Sequence, residues 1–153
     1  MEEKWESKKM HVLDDFRDVE SRNLQQMFPD LKRRDFKRLK NGNWCVNVRF
    51  ATKGKFACGV FDVLLEFPAS YPSVPPIAWV QKPLIPKKTP HVYKHDNLNH
   101  ANICYLRPKK DWHFHYTSFE ASTIIETWIV AYCKWKLTGT WDWPEAGFFD
   151  HLI

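Results

Sequence analysis

The residues best suited to covalent chemistry lie close together in one stretch. "NHANICYLRPKKDW", residues 99 to 112, places Cys104 between apolar neighbours (Ile103, Tyr105, Leu106) and a basic flank (Arg107, Lys109, Lys110). His91, His95 and His100 precede the cysteine, and Asn97, Asn99 and Asn102 lie among them. The thiolate is the nucleophilic form of cysteine, and positive neighbours favour it. An imidazole titrates near neutrality and can order a loop or take a proton. The other cysteines have blander surroundings: Cys45 sits in an alternating segment, Cys58 begins another, and Cys133 falls beside an apolar helical stripe. Free Cys is among the most buried residue types, so packing is the expectation for those three. From the residues alone Cys104 stays open to two readings, a packing thiol or a nucleophile.

Other chemistries find less support. His91, His95, His100, His113, His115 and Cys104 could in principle ligate a metal. Their spacing is irregular and no C-x-x-C occurs, so neither a metal nor another cofactor is expected. Only five glycines are present and none cluster, which excludes a glycine-rich phosphate loop. A net charge of +5 and 16% aromatic residues would suit a nucleic-acid binder. The aromatics fall mostly at periodic core positions, however, so nucleic acid is not an expected partner. The basic run Lys32, Arg33, Arg34, Lys37, Arg38 and Lys40 reads as a solvated helix end or loop. No apolar run approaches the ~20 residues of a membrane span. The first residues, "MEEKWESKKM", are charged, so the expectation is a cytoplasmic protein with free thiols and no membrane partner.

The elements that must position these residues can be read from periodicity. The 153 residues, 44% of them hydrophobic, suit one domain spanning 1–153 with a core of its own. Apolar residues at helical spacing from about Met10 to Phe28 predict a helix, which Pro29 helps to end. Asn41-Gly42 is a hairpin turn between "FKRLK" and the alternating "NWCVNVRF". "FACGVFDVLLEF" and "PPIAWV" supply further strands, giving a four-stranded antiparallel meander. From Gln81 to Lys110 periodicity fades, and a long irregular segment of this kind is often functional. Thr117 and Glu120 then form a capping box before the stripe Ala121, Ile124, Ile125, Trp128, Ile129, Tyr132 and Trp135, with Gly139 as a C-cap.

In their order these signals resemble the ubiquitin-conjugating enzyme superfamily. "FDVLLEFPASYPSVPPIAWV" is similar to that family's strand, loop and Y-P-x-x-P-P turn, here Tyr71-Pro72 and Pro75-Pro76. "ICYLRPKKDW" is similar to its active-site segment, with Trp112 eight residues after Cys104. The resemblance covers about residues 10 to 137 and implies an α+β, UBC-like fold. That fold would comprise an N-terminal helix, the meander, a long active-site loop, a crossover helix from about Ser118 and a truncated C-terminus. It also implies that Cys104 is the nucleophile. One departure concerns the family's His-Pro-Asn tripeptide, which this chain lacks. His95-Asp96-Asn97 and "TPHVY" at 89 to 93 are its two nearest echoes.

The short C-terminus and "GTWDWPE" resemble compact bacterial members found in antiphage operons. The resemblance implies a protein that takes a protein C-terminus as a thioester on Cys104 and passes it to an amine of a target protein. In cyclic-oligonucleotide signalling (CBASS) operons the partner would be a cGAS-like nucleotidyltransferase. In ubiquitination-like operons it would be a ubiquitin-like protein, and in either case a separate activating enzyme, or a partner system that works without one, would supply the acyl group. Asn97 or Asn102 could donate to the oxyanion of the tetrahedral intermediate, and His91 or His95 could order the loop or accept a proton. The alternative is a non-catalytic UBC-like module that binds a ubiquitin-like or enzyme partner.

Overall fold

The computed structural model describes residues 16–142. Within them a first helix (α1, residues 16–25) leads through a 3-10 turn, Arg33–Asp35, into a sheet. Six strands follow: β1 Lys37–Arg38, β2 Trp44–Ala51, β3 Val60–Phe67, β4 Ile77–Lys82, β5 Val92–His95 and β6 Ala101–Ile103. A short helix, α2 Pro108–Asp111, precedes the long helix α3 Ser118–Thr138. The sheet is antiparallel throughout with order β1-β2-β3-β4-β6-β5.

The alternation in "WCVNVRFA" explains which face is buried. Val46, Val48 and Phe50 point into the core, while Asn47, Arg49 and Ala51 are exposed. Opposite them Phe61, Val63 and Leu65 of β3 are fully buried. The stripe of α3 covers this face, with Tyr132 edge-on to Phe61 at 5.7 Å between ring centroids. Trp128 stacks on Tyr132 and is itself fully buried. Truncating such a ring to Ala costs about 3–5 kcal/mol. The capping box is present: the Thr117 side chain accepts from Phe119 N, and Thr117 N donates to Glu120 Oε2 at 2.8 Å. Gly139 ends the helix in the left-handed region, φ +78°.

α1 is held to α3 through a buried carboxylate. Glu20 accepts from Ser118 Oγ at 2.6 Å and from Tyr71 Oη at 2.9 Å. Burial pushes the Glu20 carboxyl up, against the opposing pull of those donors.

Four expectations change. The sheet has six strands rather than the four of a simple meander, because the segment from Gln81 to Lys110 contains the β5–β6 hairpin, whose strands are too short to show a period and of which β6, not β5, pairs with β4. The α2 turn was likewise not expected. α1 ends at residue 25, before Phe28, where Met27 N and Phe28 N both donate to the Leu24 carbonyl. The thiols are not all free: Cys58 and Cys133 form a disulfide, their Cα atoms brought to 5.6 Å by the packing of α3 over the sheet. The start of the expected first helix, residues 10–15, and the tail from residue 143 lie outside the described residues. Among the described residues no helix is long and apolar enough to cross a membrane.

Candidate active site

The site is built at the end of β6. Ala101 and Ile103 are buried in the core, so Asn102 faces the other side of the sheet. Cys104, two residues on, emerges on that side and is partly exposed. Its N–H donates to the His91 carbonyl at 2.9 Å, and its thiol donates to the Leu106 carbonyl at 3.6 Å. The His91 carbonyl also accepts from Trp128 Nε1 at 3.1 Å. His91 holds φ at +56°, in the left-handed region that non-glycine residues seldom occupy. This backbone conformation lets one carbonyl fasten the Cys104 main chain to α3.

The segment after Cys104 is fastened to the Y-P-x-x-P-P turn. Tyr105 is buried and its hydroxyl donates to the Pro76 carbonyl at 2.6 Å. Trp112 donates through Nε1 to the Pro72 carbonyl at 2.8 Å. Buried Tyr and Trp need partners for their polar tips, and here carbonyls of the proline turn supply them. Arg107, on the same segment, directs its donors to a neighbouring carboxylate. It grips Asp111 with its backbone N–H at 2.8 Å and with Nε and Nη2 at 2.9 Å each. Burial alone would raise the Asp111 carboxyl, but these Arg107 bonds outweigh it and hold the group below its ordinary value.

Between turn and segment lies an apolar cleft of about 230 Å³, walled by Pro76, Ile77, Tyr93, Asn102, Leu106 and Pro108 among others. Cys104 follows directly on this lining, between Ile103 and Tyr105, and Tyr93 lies close enough to feel the Cys104 thiol electrostatically. Partial burial, then the contact with Cys104, pushes the Tyr93 phenol up to about 12. Tyr93 owes its position to a bulge. Val92 pairs with Ile103 and Lys94 with Asn102, so Tyr93 is the extra residue between them.

The candidates named from sequence separate in space. Asn102 lines the cleft beside Tyr93. His91 meets Cys104 through its carbonyl, while its ring lies on Trp141 at 5.2 Å and burial lowers its pKa. His95 pairs with Ala101, toward the hairpin tip, and its Nε2 contacts the Ile85 carbonyl at 2.7 Å. Asn97 sits in the exposed turn beyond, where Asp96 Oδ1 accepts from Leu98 N and His100 N. The rise of ~3.3 Å per residue puts these two roughly 10 Å or more along the hairpin from Cys104. Among the described residues no three His, Cys, Asp or Glu side chains converge to hold a metal. Tyr93 was missed by sequence reasoning. Val92-Tyr93 carries strand propensity, but nothing in a single sequence marks a bulge.

The family described as "Type II CBASS E2 protein" (E2-CBASS) matches residues 20–148, which is most of the chain. The chain belongs to the type II CBASS E2 family. No curated protein and no solved structure matches it. The match runs from α1 through the sheet, Cys104 and α3, so the CBASS E2 assignment covers every element that builds the cleft. A compact CBASS E2-like protein with a mixed α+β fold is the identity that sequence motifs and family share.

Proposed function

We propose that this CBASS E2 is an acyl carrier with a UBC-like fold, in which Cys104 takes a protein C-terminus as a thioester and transfers it to an amine of a target protein in bacterial antiphage defence. The observation that carries the reading is the position of Cys104: partly exposed, between Ile103 and Tyr105 of an apolar cleft, on a segment bonded to the Y-P-x-x-P-P turn. Cys45, the other free thiol, is buried, and burial followed by the nearby Glu66 pushes its pKa up. A thioester divides the transfer into two easier steps. Asn102 is the side-chain amide placed to donate to the oxyanion. The donor of the C-terminus is a cGAS-like nucleotidyltransferase, with a ubiquitin-like protein as the second choice, and the thioester would form through a separate activating enzyme or a partner system that works without one.

The setting we infer is the cytoplasm, where Cys104 is kept as a thiol. The Cys58–Cys133 bond points to a more oxidising history.

The test is charging of the purified protein with an activated donor, read by intact mass. Wild type is expected to gain a thiol-sensitive adduct, Cys104→Ser a thiol-resistant ester, and Cys104→Ala none. Full conjugation by Cys104→Ala would refute the carrier role and leave a binding module.

A further inference from the structure

Beside Asn102, the cleft next to Cys104 holds a second polar side chain, Tyr93, which the β5 bulge sets there. We infer that Tyr93 is a catalytic residue of this site: its hydroxyl, brought to Cys104 by the β5 bulge, donates a hydrogen bond to the carbonyl oxygen of the acyl group as that oxygen becomes an oxyanion. The inference rests on the carrier reading above.

Three observations converge on Tyr93. It is the unpaired residue between the Val92–Ile103 and Lys94–Asn102 pairs. Bulges are over-represented beside active sites because they re-aim one side chain without disturbing the rest of the strand. Its side chain interacts with the Cys104 side chain and lines the same cleft as Asn102. Finally, more than half of its surface is exposed, at 57%, although it is a large aromatic residue at the edge of a sheet. A ring placed only for packing would be expected to bury more of its area. The phenol, raised to about 12, stays protonated at any physiological pH and so remains a donor.

The step balances as follows. A neutral amine attacks the thioester carbon and forms the C–N bond. The carbonyl π pair moves to oxygen, where Tyr93 and Asn102 donate to it. That pair then re-forms the carbonyl and breaks the C–S bond. The nitrogen releases its proton to water, and the departing Cys104 thiolate takes one up. Tyr93 keeps its proton throughout, which separates its role from that of a general base.

The test charges Cys104 chemically with a short glycine-ended peptide thioester and follows discharge to free lysine by intact mass. Tyr93→Phe is expected to accept the acyl group as wild type does and to discharge about 10²- to 10³-fold more slowly, the range of a lost oxyanion donor. The ratio of the two rates should be flat from about pH 6 to 9, because a protonated donor does not titrate there. Discharge by Tyr93→Phe at the wild-type rate overturns the inference while the carrier reading stands. A ratio that grows with pH overturns it in favour of a base. A wild-type chain that never holds the peptide on Cys104 removes both. Alkylation of Cys104 by iodoacetamide in each variant provides the structural control. If Tyr93→Phe slows alkylation and discharge equally, Tyr93 acts on the sulfur and not on the oxyanion, and the inference falls.

Discussion

At the scale of single residues, only some of the side chains suggested by spacing along the chain line the cleft beside Cys104. Asn102 shares the cleft, whereas His95 and Asn97 sit toward and at the tip of the β5–β6 hairpin. Asn102→Ala is therefore expected to slow discharge of a Cys104 thioester by ~10²-fold, the scale of one oxyanion donor, whereas His95→Ala and Asn97→Ala leave the rate unchanged. Single-turnover discharge measures all three, and equal losses at Asn97 would place the donor elsewhere. His91 contributes through its carbonyl, so His91→Asn is a sharper probe than His91→Ala. Asn tolerates the left-handed φ that His91 adopts, and the bond from Cys104 N–H survives. Near-wild-type charging by His91→Asn would assign the residue a backbone role, and loss of charging would assign it to the imidazole. The Cys104 segment stands out in the sequence because its neighbours and the turn upstream form recognisable strings. Which side chains lie beside it does not, because closeness across a hairpin depends on register, and here a one-residue bulge sets the register.

At the scale of elements, the segment that follows Cys104 is a folded strap rather than a loose loop. Tyr105 and Trp112 bond to the proline turn, and Arg107 closes on Asp111 across the single turn of α2. The Asp111 carboxyl titrates below its ordinary value of 3.8 because the bonds from Arg107 favour the charged form. A depressed carboxyl adds stability above its unfolded-state pKa, and that stability is lost as pH falls through the folded-state value. Asp111→Asn is thus expected to melt at a lower temperature than wild type at pH 7. The gap should close as the solution is acidified below about pH 4, in the carboxylate range. A gap that persisted in acid would mean that packing of the side chain, not its charge, holds the strap. Long elements were the legible ones. The capping box, Gly139 and the stripe of α3 all read correctly, as did the Asn41-Gly42 hairpin. β5, β6 and α2 have four, three and four residues, less than the length over which a period can be told from chance.

At the scale of the whole molecule, the chain sets its four thiols in three different states. Cys58, just before β3, is bonded to Cys133 on α3, Cys45 is buried, and Cys104 is partly exposed. No spacing rule could have paired residues 75 positions apart, since the pairing follows from α3 lying across the sheet. Closing so long a loop corresponds to about 4 kcal/mol in the chain-entropy account of disulfides. The bond also keeps two sulfurs from exchanging with Cys104, which matters for a carrier whose product is a thioester, because any free accessible thiol can capture the acyl group. Alkylation tests this division. Under native conditions Cys104 should be labelled first. After denaturation without reductant two cysteines should label, and after reduction all four. Cys58→Ser with Cys133→Ser should lower the melting temperature and leave initial charging of Cys104 intact, because neither residue lines the cleft. If four cysteines label without reductant, the bond is not made in the isolated protein. The attachment of α3 then falls to the Trp128–Tyr132–Phe61 packing and to the Glu20 carboxylate.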